Sequence, residues 1–263
     1  MRNIAMAIRY DGTGFCGWQR QKNGLSVQQA VESALSDLTG EKIQITGCSR
    51  TDAGVHALDY VFHFQSETNI PAERLPYALN YHLDKRISAL SAWDMPEDFN
   101  ARFSANGKRY IYRIWNSGLR HPFLSRYSWQ LPYRLNVDLM KEAAPLLEGT
   151  HDFAGFMAAG GSQKTTVRTI RLCKVEQDKD QPELITVTVE ADAFLYNMVR
   201  IITGTLVEIG LGRIEVKDLP TIIESCDRRK CGLTAPPQGW FLKRVYYDFR
   251  EGNEEDEEGQ EKF

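Results

Sequence analysis

The 263-residue chain contains no apolar run approaching the roughly 20 residues that a membrane-spanning helix needs. Its opening segment, residues 3–10, reads as a strand rather than as the apolar region of a signal peptide. A cytoplasmic protein without a membrane partner is expected. Cysteine is scarce: five residues, at 16, 48, 173, 226 and 231, with no C-x-x-C pair. The odd number and irregular spacing exclude a disulfide framework, and no histidine lies near Cys226 and Cys231 to complete a zinc site. Charge of one sign is also missing, for the formal net charge is only −3. That figure conceals a division. Residues 251–263 (EGNEEDEEGQEKF) hold seven acidic residues and one lysine, and without them the chain has 31 Lys+Arg against 28 Asp+Glu. The tail cannot bury apolar surface and is expected to be disordered and solvated. A body of net +3 permits nucleic-acid binding without demanding it.

What is present begins with a composition, 42% hydrophobic and 25% charged, that supports a sizeable core. Ile4, Met6, Ile8 and Tyr10 alternate and predict a strand. Ser26 and Gln29 form a capping-box pattern ahead of Val27, Ala30, Val31, Ala34, Leu35 and Leu38, with Gly40 as the stop, so a helix is expected there. Strands are expected near 42–47 and 60–66, a helix from Pro71 to about Leu83, and a strand pairing within 87–115. Later come a helix over 137–147, strands near 167–177 and 184–191, and an apolar helix over 194–211. A short helix over 216–226 and a closing strand over 241–249 complete the list. Strands and helices mix without βαβα alternation, which predicts an α+β fold rather than a doubly wound one.

Two glycine patterns suggest phosphate binding and fail on spacing. Gly12-Thr13-Gly14-Phe15-Cys16-Gly17 fits G-x-G-x-x-G, but the following helix is delayed to Ser26, so no helix N-terminus can meet a pyrophosphate. The segment reads instead as a loop carrying Trp18, Arg20 and Lys22 outward, able to stack a base or hold a phosphate. Gly160-Gly161-Ser162-Gln163-Lys164-Thr165 lacks P-loop spacing and reads as a basic surface loop extended by Arg168 and Arg171. A nucleotide cofactor is therefore not expected.

Arg50-Thr51-Asp52-Ala53-Gly54-Val55-His56-Ala57 lies between two expected strands, and Asp-Ala-Gly alone is a common turn. No nucleophile elbow accompanies it, nor a second carboxylate at glycosidase spacing. Arg200 is more telling. It sits in Phe194-Leu195-Tyr196-Asn197-Met198-Val199-Arg200-Ile201-Ile202, an almost wholly apolar stretch. A buried arginine keeps its charge and needs a partner, usually a carboxylate in a bidentate pair; otherwise it must snorkel to the surface. Tyr110 and Tyr112, interleaved with basic residues, suit either base stacking or half-burial in a sheet.

Taken together these segments resemble the TruA family of tRNA pseudouridine synthases. The resemblance runs through Tyr10-Asp11-Gly12-Thr13, Gly17-Trp18-Gln19, Ser26-Val27-Gln28 and the block from Arg50 to Ala57. It continues through Ala101-Arg102-Phe103-Ser104-Ala105, Tyr110 with Tyr112, Met198-Val199-Arg200 with Gly204, and Leu233-Thr234-Ala235-Pro236 with Gly239, spanning about 240 residues. It implies a homodimeric enzyme without cofactor or metal that converts uridines 38–40 of the tRNA anticodon stem-loop to pseudouridine. Its fold would pair two α+β halves, 1–105 and 106–250, around a central mixed, mainly antiparallel sheet with a basic cleft, leaving 251–263 as the tail. Asp52 would be the catalytic carboxylate, Arg200 its partner, Tyr110 the residue packed on the target base, and Arg50 the residue that helps extrude it. Trp18, Arg20 and Trp240 would join substrate binding. Three positions depart from the family pattern: Ser49 for a glycine, Asn100 for a histidine, and Trp240 for a leucine near the target base. A tRNA-binding chaperone or a nucleotide-dependent oxidoreductase would be the rival readings.

Overall fold

The computed structural model describes residues 1–161 and 163–250; the expectation of a disordered acidic tail falls outside them. Ten strands form one sheet: β1 (Arg2–Tyr10), β2 (Ile45–Gly47), β3 (His56–Ser66), β4 (Ile87–Met95), β5 (Gly107–Asn116), β6 (Trp129–Leu131), β7 (Gly149–Asp152), β8 (Val167–Gln177), β9 (Leu184–Ala191) and β10 (Trp240–Tyr246). The main order is β4-β1-β3-β10-β5-β9-β8-β7, with β2 paired to β3 and β6 to β5. All pairs are antiparallel except β10–β3 and β5–β6. Among the described residues five α-helices accompany the sheet: α1 (Val27–Thr39), α2 (Leu75–His82), α3 (Val137–Ala143), α4 (Met198–Gly210) and α5 (Leu219–Glu224). The fold is the expected α+β arrangement with a central, mainly antiparallel sheet.

Helix α1 shows why the capping pattern was informative. Ser26 Oγ accepts from the Gln29 amide at 3.2 Å, and Gln29 Oε1 accepts from the Ser26 amide at 3.1 Å. Gly40 ends the helix at φ 72°, its N–H donating to the Ser36 carbonyl. Elsewhere the boundaries move for identifiable reasons. The expected 194–211 helix begins only at Met198, because Asn197 is left-handed (φ 61°) and cannot continue a helical turn. The 137–147 helix tightens into a 3-10 turn at Ala144–Leu147, where Pro145 supplies no N–H. The 216–226 segment splits into a 3-10 turn and α5, and β10 stops at Tyr246. The two strands expected within 87–115 do not pair with each other: β4 flanks β1, whereas β5 lies between β10 and β9.

The last strand decides the position of the site. β10 inserts between β3 and β5, parallel to β3 through Phe241↔His56 and Leu242↔Ala57, and antiparallel to β5 with Trp240↔Tyr112 and Leu242↔Tyr110. Parallel pairing sets the beginnings of β3 and β10 side by side, so the loop before His56 and the residues before Trp240 meet at mid-sheet.

The segment preceding β10 lies directly against α4. A Cβ on Gly204 would fall 1.8 Å from the Leu233 carbonyl oxygen, a contact only glycine permits. This approach lets the Ala235 amide donate to the Arg200 carbonyl at 3.1 Å. Gly204→Ala is therefore expected to cost about 3 kcal/mol by overpacking backbone on backbone. Thermal unfolding should register that as a loss of roughly 6–12 °C; an unchanged melt would mean that the two segments separate freely.

Candidate active site

The Asp52 loop spans residues 48–55 between β2 and β3 and is fixed on several sides. Trp18 N–H donates to the Thr51 carbonyl (3.1 Å), the Tyr10 and Thr51 hydroxyls share a hydrogen bond (2.9 Å), and Val55 N–H closes a turn onto the Asp52 carbonyl (3.2 Å). The Tyr60 hydroxyl donates to the Ser49 carbonyl. Gly12 lies so close beneath the loop that a Cβ would stand 2.0 Å from the Val55 carbonyl oxygen. The glycine-rich segment 11–18 is thus a floor for the Asp52 loop. Trp18 corrects the sequence expectation: it does not project outward but is 3% exposed and stacked on Tyr60 at 3.9 Å between centroids. The indole is held between β3 and the loop and supports the loop from behind. Arg20 is exposed at its tip but tied to buried Glu32, while Lys22 is exposed.

Arg200 and Asp52 meet as the buried-charge argument required. Arg200 Nη1 donates to Asp52 Oδ2 at 2.9 Å, with the side chains 14% and 27% exposed respectively. The contact is made to one carboxylate oxygen, not two. Two further donations go to the protein: Nε donates to the Ala235 carbonyl (2.6 Å) and Nη1 also to Asn197 Oδ1 (2.8 Å). Because Arg200 engages Oδ2 alone, Oδ1 makes no hydrogen bond to Arg200. Desolvation raises the Asp52 carboxyl above its ordinary value, and the charge and hydrogen bond of Arg200 hold it down only in part.

Tyr110, on β5, forms the adjoining wall. Its ring lies 5.2 Å from Trp240 and edge-on to Phe194 at 4.8 Å, and its hydroxyl is 3.4 Å from Ser49 Oγ. Burial, with a further contribution from the Asp52 charge, pushes its phenol up, so Tyr110 is neutral here. Tyr112 is buried as well and donates to the Pro236 carbonyl at 2.6 Å. Ser49 places a hydroxyl on Tyr110 without unseating the loop. Trp240 is 6% exposed and is part of the same aromatic wall. Asn100 caps a turn, accepting from the Arg102 and Phe103 amides. Arg50 is exposed, and its side chain makes no hydrogen bond or ion pair among the described residues. Of the residues singled out from sequence, Asp52, Arg200, Tyr110 and Trp240 come together, Arg50 stands on the same loop, and Trp18 supports it from behind.

Three further contributors complete the site. Asn197, left-handed at the foot of α4, orients Arg200; the Ala235 carbonyl does so from the chain before β10. His56, at the loop's far end, is the third. Its Nδ1 accepts from Gly12 N–H (3.1 Å) and its Nε2–H donates to the Arg126 carbonyl (3.1 Å), while its ring stacks on Phe241. Asp11 Oδ1 is also 3.1 Å from Nδ1, but burial outweighs that carboxylate and lowers the His56 pKa, so the neutral ring is the folded form. Since the folded pKa is depressed, the unfolded chain binds more protons, and stability is lost as pH falls below about 6.5. Melting temperature should therefore decline between pH 7.5 and 5.5, and by less in His56→Gln. Equal declines in both proteins would remove His56 from the account.

Among the described residues no group of three or more His, Cys, Asp or Glu side chains could hold a metal ion, and no helix is long and apolar enough to cross a membrane.

Comparison with known proteins gives a consistent result. The family model described as tRNA pseudouridine synthase matches residues 6–104 and 143–248. The tRNA pseudouridine synthase A of Thermoanaerobacter sp. (strain X514) is 47% identical over 247 residues, covering 94% of this chain and 100% of that protein. The protein of the same name from Acetivibrio thermocellus is 44% identical over 247 residues, with the same coverage. Among solved structures, a chain of a Cbf5-Nop10-Gar1 complex aligns with 91% of this chain and 48% of its own length, at a TM-score of 0.37 and 10% identity; at that distance the likeness adds nothing.

Proposed function

Starting from the fact that this chain belongs to the tRNA pseudouridine synthase family, we propose that Asp52 is the catalytic carboxylate and that the target lies in the anticodon stem-loop. The enzyme isomerises uridine to pseudouridine in tRNA. The reaction breaks the N1–C1′ bond, turns the base over and joins C5 to C1′; the C5 proton leaves and N1 regains one. No redox change occurs. An ionised carboxylate can attack C1′ or remove the 2′ proton, and both routes begin from Asp52 in its charged form. The observation that carries the assignment is the Arg200 bond to Asp52 Oδ2 alone, in a partly exposed, desolvated position beside Tyr110. In this reading Tyr110 and Trp240 pack on the extruded base, and Arg50, exposed with no partner of its own among the described residues, contacts the backbone or replaces the base in the stack.

The same reading takes uridines 38–40 as targets of a cytoplasmic homodimer. Anticodon stem-loop transcripts carrying a single uridine at 38, 39 or 40 test the first part. Pseudouridine at those positions supports it, whereas modification confined to other arms of full-length tRNA contradicts it. Sedimentation at micromolar concentration tests the second, since a species of one chain mass would rule the dimer out.

A further inference from the structure

Lys108 is the second residue of β5, two residues before Tyr110. Successive strand side chains alternate, so Lys108, Tyr110 and Tyr112 share one face of the sheet, and Lys108 and Tyr110 stand about 7 Å apart along it. The β5–β9 register runs without a bulge from Lys108↔Ala191 to Trp115↔Leu184, so the alternation is intact. This is the face on which Tyr110 meets Ser49 and Trp240. Lys108 is half-buried. Its ammonium makes no hydrogen bond and no ion pair among the described residues.

Its surroundings do not neutralise it. The groups close enough to act on it are the Cys48 thiol, at the start of the Asp52 loop, and the Arg102 guanidinium, which repels it. Asp59, another neighbour of Cys48, is committed to Arg250 at 2.8 Å. Arg102 is equally unmatched. It is exposed, rests 5.5 Å over the ring of Phe103, itself 79% exposed, and has no carboxylate partner among the described residues. Burial and the Arg102 charge both pull the Lys108 ammonium below its ordinary pKa. Two mutually repelling cations, one of them half-buried on a sheet face beside the site, are costly unless an anion joins them.

We propose that Lys108 and Arg102 together hold a backbone phosphate of the tRNA next to the nucleotide that enters the Asp52–Tyr110 site. A phosphodiester supplies the missing negative charge, and its oxygens can accept from both donors at once. The RNA chain would then run from the active site along the β5 face past the turn at residues 101–104, where exposed Phe103 lies beside the phosphate. This proposal rests on the tRNA-modifying reading above. It assigns Lys108 and Arg102 to positioning rather than to chemistry.

The test is the salt dependence of binding to an unmodified tRNA transcript, measured for wild type, Lys108→Met, Lys108→Arg and Arg102→Gln. Methionine keeps most of the buried stem and removes only the charge. Each lost phosphate contact reduces the slope of log affinity against log salt by about 1. Lys108→Met and Arg102→Gln should each show that reduction, bind roughly 5–10-fold more weakly at fixed salt, raise KM and keep kcat within about twofold. Lys108→Arg should restore the wild-type slope. Wild-type slopes in both charge-removing variants, with pseudouridine formation intact in wild type, would overturn the proposal and leave the enzyme assignment standing. Absence of pseudouridine formation in wild type would instead defeat the assignment. Should Lys108→Met not fold, Arg102→Gln and Lys108→Arg decide the question by themselves.

Discussion

Arg200→Ala is expected to melt roughly 5 °C below wild type and to lose about 100-fold or more in turnover. The side chain is 14% exposed and donates to Asp52, Asn197 and the Ala235 carbonyl. Truncation leaves the buried carbonyl without its donor and Asp52 without its counter-charge. The cost should be about 2 kcal/mol, below the range for a fully buried pair because Asp52 is partly exposed and water screens it. The effect on rate has a distinct cause. Desolvation already outweighs Arg200 and holds the Asp52 pKa above its ordinary value. Without the arginine it rises further, so less of the charged form is present at neutral pH. The acid limb of the rate profile should shift toward neutrality, a displacement that a purely structural role would not produce. Arg200→Lys should fall between, since one ammonium cannot reproduce the guanidinium fork that reaches all three acceptors. Wild-type melting and rate in Arg200→Ala would contradict the pairing.

Asp52→Asn should separate binding from chemistry. The amide has nearly the shape of the carboxylate, so the melt should stay within about 2 °C of wild type, because Arg200 keeps its bonds to Ala235 and Asn197. Affinity for tRNA should remain within about threefold of wild type, since phosphate contacts to basic side chains supply most of it and removing one negative charge does not weaken them. Turnover should fall by at least about 1,000-fold, because an amide is neither nucleophile nor base. Equilibrium binding to a tRNA transcript, measured beside the rate, checks the separation. Parallel losses in affinity and rate would recast Asp52 as a binding residue.

The parts of the fold with regular patterns were legible in the sequence. Alternation located β1, and Ser26, Gln29 and Gly40 gave the limits of α1 nearly to the residue. Strands β6 and β7, of three and four residues, are too short for a period to show. The placement of β10 between β3 and β5 is a long-range pairing that no local pattern encodes, yet it is what brings Asp52, Tyr110 and Trp240 into one site. An arginine in an apolar stretch announced its need for a partner, and the family resemblance named Asp52; what the tertiary structure adds is that the contact is made to a single oxygen. Trp18 was misread because a tryptophan among glycines has no periodicity to say which way it points. Asn197 and His56 stand in segments that the sequence singled out, but no local pattern there reveals what they do. The first matters through a left-handed backbone, and the second through hydrogen bonds to the Gly12 amide and the Arg126 carbonyl.

Tritium release from tRNA transcripts labelled at uridine C5, with wild type and Asp52→Asn compared at equal tRNA occupancy, is the most direct test. The account predicts steady release by the wild type and none above background by the variant, although both bind the RNA. Release by Asp52→Asn at a rate near wild type would show that the chemistry belongs to another residue.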